Sequence, residues 1–326
     1  MTKAVSFIES ASNASHLGGV PRYLVLSTIG GLAKLVTTFL NRTRVYNEDT
    51  LLDLVQSRPA GTPLVTVSNH MSTIDDPLVW GLKGLPIEDP KLSRWTLAAE
   101  DICFTNHLFS YFFRLGKCLP VKRGAGIYQP HMNKALDVIN GGDWLHAFPE
   151  GKLSQEDGPL RRLKWGVASL IARADVKPIV LPIAHSGFEK VFPENFWFGK
   201  RPPLPLLMKH ISIVVGEPMV FDVAQLKIDA RAMTAKTSCK SPVGNNHPTS
   251  TIMGSRVPSH PTAGIGYSTC LHVDPVQNTK VKQDLGVDSL LDEVALNWMH
   301  SHMSEKMRCV LQDLVLKAKS INKIHS

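Results

Sequence analysis

Short apolar runs alternate with segments of helical periodicity between about residue 60 and residue 225. The runs that predict strands are 64–68, 95–98, 118–121, 145–148, 179–183 and 211–215. The segments that predict helices are 76–82, 104–115, 132–139 and 163–174. Because strands that alternate with helices usually pair in parallel, we predict an α/β fold with a mostly parallel central sheet flanked by helices.

The most apolar long segment lies near the N-terminus and runs from Tyr23 to Leu40. Its length of roughly 18 residues reaches only the lower limit for crossing a bilayer, and Lys34 interrupts it. On a helix, one face carries Leu26, Ile29, Ala33, Val36 and Leu40. We therefore predict an N-terminal membrane-interfacial helix at 23–40 with this face toward the lipid. A buried core helix and a membrane-spanning helix are the alternatives.

Changes in composition divide the chain into four parts. They are an N-terminal tail at 1–15, a domain at 16–225, a flexible insertion at 226–284 and a C-terminal helical segment at 285–326. The insertion is predicted from its many Ser, Thr, Pro, Asn and Gly residues, which are densest in 235–284. In the last segment, Leu290, Leu291, Val294 and Trp298 lie on one helical face, and Met303, Met307, Val310 and Leu314 lie on another. A break near residues 300–302, giving two short helices or one kinked helix, would explain this shift.

The chain has 36 Lys and Arg residues against 28 Asp and Glu, a formal charge of +8. This excess favours a polyanionic partner, either nucleic acid or a phospholipid surface. The basic residues are scattered, and neither zinc-finger spacing nor an RNA-binding aromatic motif occurs. Membrane phospholipids are therefore the expected partner, and nucleic acid is not. The five cysteines form no C-x-x-C pair, so we expect neither a disulfide framework nor a metal site.

Candidate chemistry begins where the first of these predicted strands ends. His70 follows that strand, and Asp75 and Asp76 come just before Pro77. Ligands collect at the carboxyl edge of strands in open α/β sheets. A loop that enters a helix at Pro77 would let the imidazole meet a carboxylate, as a general base with an orienting partner requires. From these residues alone, a strand-end histidine with a helix-capping aspartate is an equally good interpretation, and either aspartate could be the partner.

Three further blocks follow later strands. Lys122 and Arg123 come after the third predicted strand, and such cations bind phosphate groups. Glu150 and Gly151 belong to a Phe-Pro-Glu-Gly sequence after the fourth, and Pro182 lies inside the apolar fifth strand. Taken one at a time, these blocks are more often a solvated strand end, an ordinary turn and a core wall.

Taken together and in this order, the blocks resemble the glycerol-phosphate and lysophospholipid acyltransferase superfamily. Its signatures are His-x-x-x-x-Asp, a Gly…Arg block, Phe-Pro-Glu-Gly and an apolar Pro block. Segments 66–77, 146–152 and 164–166 are similar to tafazzin, and segments 18–22, 98–104 and 161–166 resemble its plant tafazzin-like branch, which includes an enzyme that N-acylates phosphatidylethanolamine. The resemblance runs from about His16 to Val223. It departs from the superfamily at 119–121, where Leu-Pro-Val replaces Phe-Ile.

The resemblance implies a phospholipid acyltransferase with His70 as general base and Asp75 as its orienting partner. The other roles that it implies are binding of the acceptor phosphate by Lys122 and Arg123, completion of the acceptor pocket by Glu150 and Gly151, and lining of the acyl path by Pro182. The reaction that the resemblance implies is direct transfer from acyl-CoA or a second phospholipid, without a cofactor. The expected acceptor is a lysophospholipid hydroxyl or the amine of phosphatidylethanolamine.

The alternative functions are a cardiolipin-remodelling transacylase, a non-catalytic lipid-binding protein and a lipid hydrolase. The G-x-S-x-G sequence of many hydrolases is absent. The expected location is a membrane, with monotopic or peripheral attachment. The family resemblance implies a mitochondrial membrane, and the plasma membrane or endoplasmic reticulum is the alternative. The oligomeric state stays open.

Overall fold

A seven-stranded sheet forms the centre of the computed structural model, which describes residues 3–238 and 287–325. The strands are β1 (Arg42–Tyr46), β2 (Leu64–Ser68), β3 (Trp95–Ala99), β4 (Cys118–Val121), β5 (Trp144–Ala147), β6 (Ile179–Ser186) and β7 (His210–Val215). Their order across the sheet is β1-β7-β6-β2-β5-β3-β4. Strands β2 to β6 run parallel, so the predicted mostly parallel sheet is confirmed.

The strands β1 and β7 run parallel to each other and antiparallel to the rest of the sheet. Ser212 near the start of β7 pairs with Ser186 at the end of β6, so both outer strands begin at the edge where β2 and β6 end. The sequence did not predict β1, whose sequence is Arg-Thr-Arg-Val-Tyr. An edge strand that is exposed along much of its length lacks the continuous apolar run by which buried strands are recognised.

Helices cover both faces of the sheet. They are α1 (Lys3–Ser10), α2 (Val20–Lys34), α3 (Glu48–Gln56), α4 (Asp75–Val79), α5 (Glu100–Cys103), α6 (His107–Leu115), α7 (Pro130–Asn140), α8 (Gly166–Arg173), α9 (Phe188–Val191), α10 (Val223–Ser238) and α11 (Val287–His325). A short 3₁₀ turn, His16–Gly19, precedes α2, and a π-helical turn, Leu35–Leu40, follows it.

Two apolar clusters lie on opposite faces of the sheet, because successive side chains of a strand point in opposite directions. In β2, Val65 and Val67 belong to the cluster that α7, α8 and α11 cover. Leu64 belongs to the other cluster, with Trp80 and the apolar residues of α3. All five residues of β2 are buried, which is why its β-branched sequence, Leu-Val-Thr-Val-Ser, was recognisable as a buried strand.

The helix α2 packs one narrow stripe of its surface on the domain. The buried residues of this stripe and its π-helical extension are Arg22, Leu26, Gly30, Ala33 and Thr37. The prediction that Leu26 and Ala33 face lipid is therefore wrong. A Cβ at Gly81 would lie 2.6 Å from the Ala33 backbone, so the chain after α4 approaches the helix too closely for any lipid to intervene.

The rest of the α2 surface is apolar and open to solvent. Its exposed large side chains are Tyr23, Leu24, Leu32, Leu35 and Phe39. Among the described residues, His16–Leu40 is the one helical segment that is long and apolar enough to cross a membrane by length and composition, and only 22% of its apolar window is buried. An apolar N-terminal helix was predicted correctly, but its exposed face is not the predicted one.

The C-terminal helix α11 is a single helix of 39 residues, so the predicted break near residues 300–302 is wrong. Its buried stripe repeats every three or four residues as Ala295, Met299, Met303, Met307, Leu311, Val315 and Ala318. The predicted contact face that included Leu290 and Val294 is not the buried one, because Val294 is exposed while Ala295 packs on the sheet. Small alanines thus mark a contact face that a search for large apolar residues overlooks.

Two boundaries also differ from the sequence-based division. The helix α10 extends to Ser238, so residues 226–238 are helical and do not belong to a flexible insertion. The remainder of that predicted insertion, 239–284, lies outside the described residues. In the predicted N-terminal tail, α1 packs on α6, where the ring of Phe7 stacks on Tyr111 with centroids 5.6 Å apart.

We expect the stripe on α11 to contribute strongly to stability. Met303→Ala removes a fully buried side chain between α11 and the sheet cluster, and should lower the free energy of unfolding by about 2–5 kcal/mol. Leu316→Ala, on the exposed side of the same helix, is the matched control and should change it by less than about 0.5 kcal/mol. Urea denaturation of both variants measures the difference, and equal effects would contradict the packing described here.

Candidate active site

The imidazole of His70 lies just past the carboxyl end of β2, in the turn that leads to α4. Its Nδ1 atom is 2.9 Å from Oδ2 of Asp75, so the two predicted partners are in contact. Asp75 is fully buried, whereas the His70 side chain keeps 21% of its surface exposed. A buried carboxylate on one ring nitrogen directs the opposite nitrogen, Nε2, toward the accessible side of the site.

The same carboxylate oxygen organises the turn itself. Oδ2 of Asp75 accepts hydrogen bonds from the backbone N–H of Met71, at 2.6 Å, and of Ser72, at 2.8 Å. These amides and the His70 ring converge on one oxygen, which fixes the ring relative to the backbone. A carboxylate accepts only, so the Nδ1 atom of His70 must carry the proton in this pair and the Nε2 atom of the neutral ring is free to accept one.

The neighbouring carboxylate, Asp76, points to different partners. It pairs with the guanidinium of Arg94 and accepts hydrogen bonds from Thr96 Oγ1, at 2.9 Å, and Trp80 Nε1, at 3.2 Å. Burial alone would raise the pKa of Asp76, but the Arg94 charge and these hydrogen bonds hold that pKa below its ordinary value. Asp76 therefore connects α4 to the chain around β3, and it is Asp75 that contacts the histidine.

An asparagine and a second histidine, both missed by the sequence analysis, hold the end of β2 against β6. The side-chain amide of Asn69 donates to the His185 carbonyl, at 3.0 Å, and its oxygen accepts from the His185 N–H, at 2.9 Å. His185 Nε2 in turn donates to the Asn69 carbonyl, at 2.8 Å. Both residues are buried. Their signal in the sequence was a polar residue at the end of an otherwise apolar strand.

Aromatic rings pack against the imidazole of His70. The ring of Phe148 stacks on it with centroids 4.2 Å apart, and the ring of His146 meets Phe148 edge-on at 4.6 Å. Burial lowers the pKa of His146 to about 3, so the His146 ring is neutral at physiological pH and packs as part of the core. Phe148 thus restricts the His70 ring from the side of β5.

The Phe-Pro-Glu-Gly turn brings a carboxyl group to the backbone of the histidine. Glu150 Oε1 accepts a hydrogen bond from the His70 N–H at 3.0 Å. Burial raises the pKa of Glu150 above its ordinary value. Gly151 has a φ of +75°, and a Cβ there would lie 3.2 Å from the Lys164 side chain, so the turn requires glycine on two grounds.

A cavity of about 250 Å³ opens beside this pair of residues. His70 and Glu150 line one side, the loop at 154–161 lines another, and Val315 and Lys319 reach it from α11. Its cations are Arg161, which pairs with Glu156 at 3.1 Å, and Lys319, which pairs with Asp157 at 3.0 Å. The sequence analysis assigned no site role to either cation. Arg161 does belong to a segment that carries the family resemblance, whereas Lys319 is recognisable only in the fold.

Of the five predicted substrate-binding residues, Glu150 lines this cavity and the other four do not, although Gly151 directly follows Glu150 in the same turn. Lys122 and Arg123 follow β4, which is three strands away from β2, and Arg123 pairs with Asp101. Pro182 is buried inside β6, where its carbonyl accepts the Gly216 N–H at 2.8 Å. Their predicted roles in substrate binding therefore receive no support from contacts at the cavity that His70 lines.

A second cavity, of about 120 Å³, lies between α2, α4 and α6. Its lining is mostly apolar and includes Val25, Ile29, Pro77, Phe112 and Phe113. Within the described ranges, no group of three or more His, Cys, Asp or Glu side chains could hold a metal ion, and the cysteines at 103, 118 and 309 are free thiols.

Known acyltransferases match this chain over most of its length. A family model described as Acyltransferase matches residues 42–186. The N-acylphosphatidylethanolamine synthase of Arabidopsis thaliana is 48% identical over 316 residues, which cover 96% of this chain and 99% of that protein. Tafazzin of Drosophila melanogaster is 41% identical over 70% of this chain and 59% of its own length. A Dictyostelium discoideum protein named taffazin is 37% identical over 62% of this chain and 72% of its own length.

The family match spans the sheet from β1 to β6 and contains both members of the His70–Asp75 pair, so the molecule is an acyltransferase. Among acyltransferases, one relative matches 96% of this chain and the tafazzins match 62–70% of it, which narrows the family assignment. The chain belongs to the tafazzin family, together with the N-acylphosphatidylethanolamine synthase that it matches over nearly its whole length.

We expect the two adjacent aspartates to differ in their effect on stability. Asp76→Ala leaves the buried Arg94 charge without its partner, and should lower the free energy of unfolding by about 3–5 kcal/mol at neutral pH. Because the folded-state pKa of Asp76 is depressed, its stabilisation is present above the unfolded pKa and is lost as the pH falls through the folded value. Denaturant melts of wild type and variant across acidic pH should therefore converge. Asp137→Ala, at an exposed position on α7, is the control, and a gap that persists at low pH would contradict this role.

Proposed function

We propose that this acyltransferase modifies glycerophospholipids in a membrane, and that its principal acceptor is the amine of phosphatidylethanolamine. The observation that carries the proposal is the 48% identity to an N-acylphosphatidylethanolamine synthase over 96% of this chain. The product is an amide-linked third acyl chain. A lysophospholipid hydroxyl is the second candidate acceptor, favoured by the tafazzin relatives, and transacylation that remodels cardiolipin is a variant of it.

In the proposed mechanism, His70 acts as the general base. Its Nε2 atom accepts a proton from the acceptor amine or hydroxyl as that group attacks the acyl carbonyl carbon. The tetrahedral intermediate then collapses, the bond to the donor breaks, and the protonated ring returns the proton to the leaving thiolate or alkoxide. With an amine acceptor, the ammonium form must first lose one proton to water, because the ordinary amine is mostly protonated near neutrality. Asp75 stabilises the imidazolium between the two steps.

The cations of the cavity are suited to hold the acceptor phosphate. Arg161 and Lys319 line the same cavity as His70, and each is held by an acidic neighbour that a phosphate could displace. We assign them the phosphate contact that the sequence analysis gave to Lys122 and Arg123. Glu150 lines the cavity as well, and we propose that it completes the acceptor pocket while it holds the His70 backbone.

The acyl chain needs an apolar surface close to His70. The 120 Å³ cavity meets this need. Pro77 and the aromatic rings of α6 line it, and Pro77 lies on α4, the helix that begins at Asp75. Its other wall is α2. The donor is acyl-CoA or a second phospholipid, and no cofactor is required by this scheme.

We propose monotopic attachment to the membrane through α2. One stripe of this helix packs along the domain while its opposite side exposes large apolar side chains, so the helix rests in the interface and does not cross the bilayer. The family resemblance favours a mitochondrial membrane, with the plasma membrane or endoplasmic reticulum as the alternative compartments.

Removal of the imidazole tests the catalytic assignment. We expect His70→Ala to lower the rate of acyl transfer by at least about 10³-fold without loss of the folded state. The assay supplies purified protein with labelled acyl-CoA or labelled phosphatidylcholine as donor, and with phosphatidylethanolamine, lysophospholipids or lysocardiolipin as acceptor. Label in N-acylphosphatidylethanolamine supports the proposal. Free fatty acid as the sole product would indicate a hydrolase, and full activity of His70→Ala would refute the mechanism.

The orienting carboxylate should matter through the histidine. Asp75→Asn keeps the shape of the turn but presents a group that no longer fixes the Nδ1 proton, so kcat should fall by about 10²–10⁴-fold. Initial rates at saturating acceptor, with the folded state checked by circular dichroism, measure this loss. Asp76→Asn is the comparison for the neighbouring carboxylate and is assayed at a temperature at which circular dichroism shows it folded. A larger loss of kcat in the folded Asp76→Asn protein would exchange the two roles.

The phosphate site has a control in the adjacent arginine. Arg161→Gln and Lys319→Gln should each raise the KM for the phospholipid acceptor about tenfold with a smaller change in kcat, because a charge-assisted hydrogen bond to phosphate is lost. Arg162→Gln and Lys317→Gln should leave KM within about twofold. Arg162 lies over the Trp165 ring, and neither control residue lines the cavity. If Arg123→Gln raises KM more than Arg161→Gln and Lys319→Gln do, the acceptor phosphate binds beside β4 and not in the cavity.

A further inference from the structure

The loop between α9 and β7, residues 192–209, exposes a cluster of large apolar side chains that the catalytic mechanism does not use. Its exposed members are Phe196, Trp197, Phe198, Leu204, Leu207 and Met208. Phe198 is the most exposed of them, with 92% of its surface open to solvent. Single exposed apolar residues are common, but a cluster of six in one loop marks an interaction surface.

The tip of this loop is built so that its aromatic rings stay outside the core. Phe198 and Gly199 both have positive φ, at 53° and 69°, which gives a tight turn between Trp197 and Lys200. The Phe196 N–H donates to the Lys200 carbonyl at 3.0 Å and closes the turn. A phenylalanine in the left-handed region is unfavourable, and its ring contacts only Trp197 among the described aromatic rings.

Charge selects a lipid surface over a purely apolar partner. The loop contains Lys200, Arg201 and Lys209 against the single acid Glu194, which pairs with Arg201 at 2.7 Å, and Glu189 and Lys190 precede it on α9. Aromatic rings flanked by lysine and arginine fit the interfacial region of a bilayer, where rings sit at the level of the headgroups and cations attract anionic lipids. The formal charge of +8 on the whole chain acts in the same direction.

The loop is continuous with the apolar surface of α2 and its extension. The Met208 N–H donates to the Leu40 carbonyl at 2.9 Å, and the Lys209 N–H donates to Asn41 Oδ1 at 2.8 Å. Phe39, next to this junction, has 77% of its surface exposed. Because β7 begins at the edge where β2 ends, the loop, the end of the apolar helix and His70 lie at one edge of the sheet.

The base of the loop is hydrogen-bonded to the catalytic turn. The Phe192 carbonyl accepts from Ser72 Oγ and from Gln155 Nε2, both at 3.3 Å. Gln155 also donates to the Met71 carbonyl, at 2.8 Å. Met71 and Ser72 supply the two amides that hold Asp75, so the loop and the catalytic turn form one connected unit.

We propose that the 192–209 loop is a second membrane-docking element, which inserts its aromatic tip into the interface of a bilayer that contains anionic phospholipids. Together with the exposed face of α2, it fixes the catalytic edge of the sheet at the lipid surface, so that an acceptor reaches His70 without leaving the membrane. The inference rests on the membrane attachment in the proposed function, and it does not depend on which acceptor is used.

Insertion of the tip is measured directly through Trp197. Full-length protein is mixed with vesicles of two parts phosphatidylcholine to one part phosphatidylglycerol, with brominated acyl chains in the phosphatidylcholine. Tryptophan fluorescence should be quenched to a larger fraction in the wild type than in Trp197→Phe, because Trp80, Trp95 and Trp144 are buried and the half-buried Trp165 and Trp298 are common to both proteins. Equal fractional quenching of the two proteins overturns the proposal.

Affinity and catalysis separate docking from folding. The triple substitution Phe196→Ser, Trp197→Ser and Phe198→Ser should raise the vesicle dissociation constant about tenfold or more, because it removes three inserting rings. The control is Val176→Ser, Val220→Ser and Ile228→Ser, three exposed apolar residues away from this edge, and it should stay within about twofold. Lys190→Gln with Lys200→Gln should weaken binding to the anionic vesicles and leave binding to pure phosphatidylcholine unchanged.

Activity and oligomeric state complete the test. With a short-chain acceptor dissolved as monomers, the triple variant should turn over at the wild-type rate, whereas with vesicle substrates its rate should fall together with its binding. An equal loss on both substrates, or a wild-type dimer that the triple substitution dissociates, overturns lipid docking. His70→Ala should bind vesicles as the wild type does. Vesicle binding therefore tests membrane docking even if the proposed chemistry is wrong.

Discussion

One oxygen atom of Asp75 determines the geometry on which the site depends. It accepts the amides of Met71 and Ser72 and the ring N–H of His70 in the turn where β2 ends. A fully buried carboxylate is unfavourable without hydrogen-bond donors, so the chain can adopt this turn only in a shape that brings these donors to Oδ2. The orientation of the imidazole, and with it the position of the Nε2 atom over the cavity, follows from that requirement.

The remaining contacts keep this turn attached to a rigid sheet. Asn69 connects the end of β2 to β6, and Glu150 connects the His70 backbone to the turn after β5. Asp76, unlike Asp75, does not contact the histidine. Its ion pair with Arg94 holds the other side of α4. Two adjacent carboxylates therefore have separate partners, the His70 ring for Asp75 and Arg94 for Asp76, because successive residues of a short helix face different neighbours.

The catalytic edge of the sheet is also the edge that the apolar surfaces share. The outer strands β1 and β7 run against the others, so the chain that enters them passes the carboxyl ends of β2 and β6. The end of the apolar helix at Leu40 and the loop at 192–209 meet there. This arrangement puts the exposed apolar surfaces at the same edge as the imidazole, and α11 closes the cavity from the other side with Val315 and Lys319.

The sequence by itself determined the buried strands and their alternation with helices, because these depend on periodicity. It also placed His70 and two aspartates close together in the chain, but the contact itself was only one of two equal interpretations. The choice between Asp75 and Asp76 needed Arg94, just before β3, and Thr96, within β3, because both contact Asp76. The cations of the cavity, Arg161 and Lys319, come from segments about 160 residues apart that only packing brings together. Tertiary structure decided these features because a burial face or an ion pair is set by whichever distant element packs against it, and local patterns do not record that element.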